Sequence, residues 1–258
     1  MAATYLDRIL DRHRELAAAD TRPLESLLDE ARSMPPTRGF RSALADRGQL
    51  RVIAEIKRRS PSKGDLNTGL DPAEMAATYE SGGAACLSVL TDTGFFGGST
   101  DDLQRARAAC SLPVIRKDFT VCERDVLDAR IMGADCLLLI AAALEPTELV
   151  MLHRLAVDVG LDVLVEIHDE AELEHALAAD ATLIGVNQRD LVTFQVDHAR
   201  AVRMAGVIPD RATKVAESGV RDADDARSLR TAGYDAVLVG ETLVTSGDPA
   251  ATIAALIS

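Results

Sequence analysis

The stretch Arg51-Val-Ile-Ala-Glu-Ile-Lys57 decides how this chain is read. It is short and rich in β-branched residues, the pattern of a buried strand. Side chains on a strand alternate between its two faces. If Ile53 points into a core, Glu55 and Lys57 point the same way. Burying an unpaired charge costs several kcal/mol or more. Two charges on the inner face of one strand therefore need a reason other than packing.

Seven further apolar runs follow: Cys86–Leu90, Pro113–Arg116, Cys136–Ile140, Val163–Ile167, Leu183–Val186, Thr213–Ala216 and Ala236–Val239. Their spacing is roughly 20 to 35 residues, the length of a βα unit. Helices fit between them over Pro72–Ser81, Thr100–Ala109, Glu123–Met132, Pro146–Val159, Glu170–Ala179 and Asp222–Ala232. Asp71 before Pro72 is an N-cap followed by proline at the first helical position. Gly83, Gly133, Gly160 and Gly233 stand where helices end, as C′ positions require. Eight such units predict an α/β chain closed into a (β/α)8 TIM barrel, since open doubly wound sheets more often have five or six strands. Two additional helices are expected near Thr4–Ala19 and Leu24–Ser33, before the break at Pro35-Pro36. The organisation expected is one domain over residues 1–258, with residues 1–48 as a helical extension.

The net charge of −13 disfavours nucleic-acid and anionic-membrane partners, which need a basic surface. No apolar run is long enough to span a bilayer, and residues 1–20 lack the apolar core of a signal peptide. Cys86, Cys110, Cys122 and Cys136 form no C-x-x-C pair and read as free thiols. A soluble, cytoplasmic protein is expected. An anionic ligand must then find a local basic pocket.

The first strand's pattern recurs. Lys117 shares a face with Ile115, Glu166 with Leu164, Asn187 and Arg189 with Gly185, and Glu217 with Val215. Each lies at the C-terminal end of its strand, where barrels of this kind carry their active sites. A barrel layer takes four side chains from alternate strands. Glu55 or Lys57, Lys117, Glu166 and Glu217 come from strands one, three, five and seven, and are expected to form one polar layer. Arg116 faces the other way and reads as structural. His168 reads as structural, and His13, His153, His175 and His198 as surface.

The loops after strands seven and eight commonly bind phosphate in this fold. Here they carry Ser218-Gly219 and Gly240-Glu241, where glycine lets backbone N–H groups approach an anion. Glu241 is an awkward neighbour for phosphate, and its carboxylate is expected to turn away. Arg58-Arg-Ser-Pro-Ser-Lys-Gly64 reads as a basic substrate-covering loop. Phe95-Phe96 and Phe119 are expected to wall a flat ring in a chain with few aromatics.

Taken together, Val52–Gly64, Leu87–Asp92, Phe95–Ser99, Pro113–Phe119, Val165–His168, Ile184–Leu191, Ala216–Val220 and Val237–Glu241 resemble the indole-3-glycerol-phosphate synthase family, in family order. The resemblance implies a lyase of tryptophan biosynthesis with no metal or organic cofactor. Its substrate would be 1-(2-carboxyphenylamino)-1-deoxyribulose 5-phosphate. Lys117 matches the family's general acid; Glu166 and Lys57 match its other acid–base residues, supported by Glu55 and Asn187, with Glu217 beside them. Lys57 and Ser60 would hold the carboxylate. Ser218, Gly219, Gly240 and Glu241 would hold the phosphate, with Arg189 nearby; a serine is frequent in the family where Glu241 stands. Phe96, Phe119, Leu138 and Leu191 would line the aromatic pocket. A monomer is expected. Other readings of the scaffold are a phosphoribosyl-type isomerase, a Schiff-base aldolase, or a binding protein without activity.

Overall fold

The computed structural model describes residues 4–45, 48–61, 63–190 and 195–258. Eight parallel strands close into a barrel: β1 (Arg51–Ile56), β2 (Cys86–Leu90), β3 (Val114–Lys117), β4 (Cys136–Ile140), β5 (Asp162–Ile167), β6 (Leu183–Asn187), β7 (Thr213–Glu217) and β8 (Ala236–Val239). Each pairs with its sequence neighbours, and β8 returns to β1 with Ile53 opposite Leu238. The chain is thus a (β/α)8 TIM barrel, as its patterning predicts.

Strand ends differ slightly from expectation. β3 starts after Pro113, which has no N–H for the ladder, and runs on to Lys117. β6 and β7 likewise extend to Asn187 and Glu217. The polar residues therefore sit on the strands, held by the ladder, and not on loose loops.

Two apolar groupings divide the core. Ile53, Cys86, Ile115, Cys136, Leu164, Leu183, Val215 and Ala236 fill the barrel interior. The alternate residues, such as Val52, Leu87, Val114, Leu137, Val165, Ile184, Ala216 and Val237, pack outward against the helices. The four cysteines are free.

Before the barrel come helices α1 (Tyr5–Ala19) and α2 (Leu24–Ser33). Thr4 caps α1 reciprocally with Asp7, a capping box. Leu10 of α1 and Phe40 belong to the interior grouping, so the N-terminal segment contributes to the barrel core. Among the described residues, no helix is long and apolar enough to cross a membrane.

Several elements were not expected: the hairpin pairing Arg59–Ser60 with Gly64–Asp65, the one-turn helices Thr93–Phe96 and Glu241–Val244, and the helices His198–Ala205 and Pro249–Ile257. Local caps hold some of them. Asp92 accepts from the N–H groups of Phe95 and Phe96, at 2.6 and 3.0 Å.

Candidate active site

A cavity of about 400 Å³ opens at the C-terminal ends of the strands, a volume suited to a small organic ligand. Its lining includes Glu55, Lys57, Ser60, Phe96, Lys117, Phe119, Leu138, Glu166, Asn187, Arg189, Glu217, Ser218, Gly219, Gly240 and Glu241. These are all the candidate residues from the sequence except Leu191, which lies outside the described residues. Tyr5, Leu6 and Ile9 of α1 close one side.

The floor is a polar layer. Lys117 Nζ donates to Glu166 Oε2 and to Glu217 Oε2, both at 2.9 Å. Asn187 Nδ2 donates to Glu166 Oε1 at 3.0 Å. Lys57 Nζ lies 2.5 Å from Glu55 Oε1, and Ser88 Oγ donates to Glu55 Oε2 at 3.1 Å. Of the first strand's two charges, Glu55 is therefore the one within the layer, and Lys57 projects above it from the strand's end. Two glycines make this possible. A Cβ at Gly185 would collide with Glu217 Oε1, and one at Gly240 with Glu55 Oε1. Both are absences of bulk that carboxylates fill.

One lysine between two buried carboxylates cannot neutralise both. Burial raises Glu217, Lys117 opposes this and Glu166 adds to it; the carboxyl ends up at about 7. Its Oε1 is buried with no hydrogen-bond donor among the described residues, which disfavours the anion further. Burial also raises Glu166, but Lys117, His168 and the Asn187 amide outweigh it and bring the group down to about 2. Burial lowers Lys117, yet Glu166, Glu217 and Glu55 more than offset that and hold the ammonium above its ordinary value. The layer thus keeps Lys117 charged, Glu166 ionised and Glu217 able to hold a proton near neutrality.

At one side of the cavity Ser218 and Gly219 adopt consecutive positive φ angles of 64° and 79°. Such left-handed backbone is costly for serine and natural for glycine. Gln188 Nε2 binds the Ser218 carbonyl at 2.7 Å, and Thr242 Oγ1 binds the Val220 carbonyl at 2.7 Å, so the turn is fixed from both ends. Glu241 and Thr242 open a one-turn helix whose leading N–H groups have no intrahelical partner. The Glu241 carboxylate does not turn away, as the sequence led us to expect. It lies 3.5 Å from Lys63 Nζ and 3.9 Å from Arg189 Nη2, two cations that attract it. Arg189 also forms an isolated antiparallel bridge with Val196.

The opposite wall is aromatic. The rings of Phe96 and Phe119 are 6.2 Å apart, tilted by 37°. Phe95 packs edge-on against Tyr5 instead, at 5.7 Å, and ties the loop to α1. The reading of Phe95 and Phe96 as one wall therefore holds for Phe96 alone.

Two histidines need correction. His13 is not on the surface: its Nε2 is 3.2 Å from Asp92 and 3.7 Å from Asp118, and its ring stacks near Phe119. These three residues offer ligand atoms within 4.8 Å of one another, a group that could hold a metal ion. Both carboxylates already have protein partners, Asp92 in the Phe95 cap and Asp118 with Thr91 and Arg116. The cluster reads as the tether that fastens α1 over the site. His153 is buried against the core, where desolvation lowers its pKa. Arg116 is structural, bonding the Asp125 carbonyl at 2.8 Å.

Sequence reasoning passed over Ser88 and the lining residues of α1; Lys63, expected in the basic loop, and His198, read as surface, also line the cavity. Alternation along β2 was enough to point Ser88 inward with Cys86. The contribution of α1 leaves no local signal, since its inner face is read only against a distant partner.

Fold and site together define a TIM-barrel enzyme whose cavity has a floor of paired lysine and carboxylates, an aromatic wall and a glycine-bearing rim. The indole-3-glycerol phosphate synthase family model matches residues 6–256. The chain is 52% identical over 231 residues to indole-3-glycerol phosphate synthase 2 of Streptomyces coelicolor, covering 90% of this chain and 89% of that one. It is 48% identical over 244 residues to the indole-3-glycerol phosphate synthase of Bordetella pertussis, covering 93% of each. The chain belongs to the indole-3-glycerol phosphate synthase family. In fold alone it is similar to 3-hexulose-6-phosphate synthase of Salmonella typhimurium, with a TM-score of 0.62 at 14% identity over 80% of this chain and 96% of that one.

Proposed function

We propose that this chain closes the indole ring of 1-(2-carboxyphenylamino)-1-deoxyribulose 5-phosphate, releasing carbon dioxide and water, with the residues of the polar floor in named roles. The observation that carries the assignment is Lys117, held protonated between Glu166 and Glu217 at the base of the cavity. Ring closure needs a proton on the ketone oxygen as the aniline carbon attacks it, and Lys117 supplies it. Loss of the resulting hydroxyl needs a second acid, and removal of the adjacent C–H proton needs a base. Lys57 and Glu166 share these steps, oriented by Glu55 and Asn187. Glu217 sets the charge on Lys117.

Lys57 and Ser60 hold the carboxylate until it departs. The Ser218-Gly219 turn, Gly240, Glu241 and Arg189 receive the phosphate. Phe96, Phe119, Leu138 and Leu191 receive the aromatic ring. A monomer in the cytoplasm fits a biosynthetic lyase.

The test is direct. Purified protein mixed with the carboxyphenylamino sugar phosphate should develop indole fluorescence and evolve carbon dioxide in equal amounts. No indole, or a product that borohydride traps on a lysine, would favour an aldolase instead.

A further inference from the structure

An anionic ligand entering a cavity that holds carboxylates needs positive charge that those carboxylates have not already neutralised. Among the described residues, the lysines and arginines of the lining are Lys57, Lys63, Lys117, Arg189 and Arg221. Each faces a carboxylate. Lys57 lies against Glu55, Lys117 against Glu166 and Glu217, and Lys63 and Arg189 against Glu241. Arg221 is held by Asp225 in a two-pronged pair, with Nε and Nη2 each 2.8 Å from a carboxylate oxygen. One further lining residue is of a type that carries positive charge near neutral pH, His198. Among the described residues it forms no ion pair. Asp225 is close enough to interact with it, but Arg221 takes both oxygens of that carboxylate.

The fold fixes His198 beside the Ser218-Gly219 turn. It is the first residue of the helix His198–Ala205, which Asp197 caps by accepting the N–H groups of Ala199 and Arg200 at 3.0 and 3.2 Å. The Asp197 N–H donates to the Gln188 carbonyl at 2.8 Å, and the Gln188 side chain donates to the Ser218 carbonyl at 2.7 Å. Gln188 thus joins the start of the helix to the turn. The ring itself comes against the turn: a Cβ on Gly219 would meet His198 Cε1 at 3.1 Å and Val196 Cγ1 at 2.6 Å. His198 is exposed, so its ring is open to a ligand.

We propose that His198 is a phosphate-binding residue, donating a hydrogen bond to the phosphate that the Ser218-Gly219 turn receives. The inference rests on the placement of phosphate proposed above. An imidazole N–H donates to an anionic oxygen, and a protonated ring makes that bond charge-assisted. Here the charge is one that no protein carboxylate has paired. The phosphate takes no part in bond making, so the contact is the same before and during reaction and is expressed in KM.

The test compares His198→Ala with His198→Lys in the full-length protein. In His198→Ala, KM for the carboxyphenylamino sugar phosphate and the inhibition constant of inorganic phosphate should rise together, about three- to ten-fold, the effect of a charged contact discounted for exposure. The rate constant kcat should stay within about two-fold, as expected for binding that is uniform along the reaction. His198→Lys restores a cation without restoring the ring, and both constants should return close to those of the wild type. A role in packing against Gly219 alone predicts that lysine is no better than alanine. Unchanged constants in His198→Ala, or a His198→Lys protein as impaired as His198→Ala, would overturn the proposal. Where the wild type forms indole and His198→Ala matches it, this inference alone fails. Where the wild type forms none, the reaction fails, and calorimetric titration with inorganic phosphate still decides: weaker binding by His198→Ala supports the residue's role, and equal binding removes it.

Discussion

Strands β1, β3, β5 and β7 each send two side chains into the barrel, two residues apart. The lower level is Ile53, Ile115, Leu164 and Val215, all completely buried. The upper level is Glu55, Glu166 and Glu217, also buried, and the half-buried Lys117, which joins the last two carboxylates. The same backbone, at the same radius, carries two opposite chemistries one step apart. Each lower side chain contributes roughly 1.5–3 kcal/mol by leaving water. Each upper one loses hydration and recovers it only through its partners. The contrast separates what holds the barrel closed from what the barrel is closed around.

The sharpest way to break this division is Lys117→Met. Turnover should fall about 10²–10⁴-fold, the span of a lost general acid, while fluorescence titration should show product binding largely kept. Near-normal turnover would mean that the upper level is only a salt-bridge network. The converse change is Ile115→Ala. It should cost about 2–5 kcal/mol of stability in denaturant unfolding and leave kcat within a few-fold of wild type. A collapse of kcat in a folded Ile115→Ala protein would show that the two levels are not separable.

A third outcome concerns protons. Glu217 has a raised carboxyl pKa, so the folded state binds its proton more tightly than the unfolded chain does. Its contribution is fully present below the ordinary value of 4.5 and is lost as pH rises to about 7. Glu166 has the opposite sign: its stabilisation is present above 4.5 and lost as pH falls towards about 2. Glu217→Gln should therefore flatten the decline in stability between pH 4.5 and 7 and leave the acid limb in place. Thermal unfolding against pH would show it, and an unaltered slope would remove Glu217 from the account.

The smallest effect is expected at the rim. Glu241 makes long, half-exposed pairs with Lys63 and Arg189. Exposed pairs of this kind are worth about 0.2–1 kcal/mol. Glu241→Ser should remove a carboxylate that competes with phosphate and lower KM by up to about five-fold, with kcat unchanged. A higher KM would show that the carboxylate assists binding.

Much of this was legible along the chain. Alternation through Glu55, Lys117, Glu166 and Glu217 marked both the strands and the inward charges, because a period of two leaves no freedom in which face a residue occupies. Ser218-Gly219 and Gly240 stood where the fold places anion sites. His13 and His153 were misjudged because a histidine on an amphipathic helix looks the same facing solvent or facing a core. The place of His198 against Gly219 is a property of the fold and of no residue beside it in sequence.

Residue order alone was enough for the barrel, for its inward faces and for the end at which charge collects, since all three follow from local periodicity. The pairings were not. Lys117 meets Glu166 and Glu217 across 49 and 100 residues of chain, and His13 meets Asp92 across 79. Which carboxylate is ionised, which holds a proton and how α1 seals the cavity depend on distances that exist only once the ring has closed.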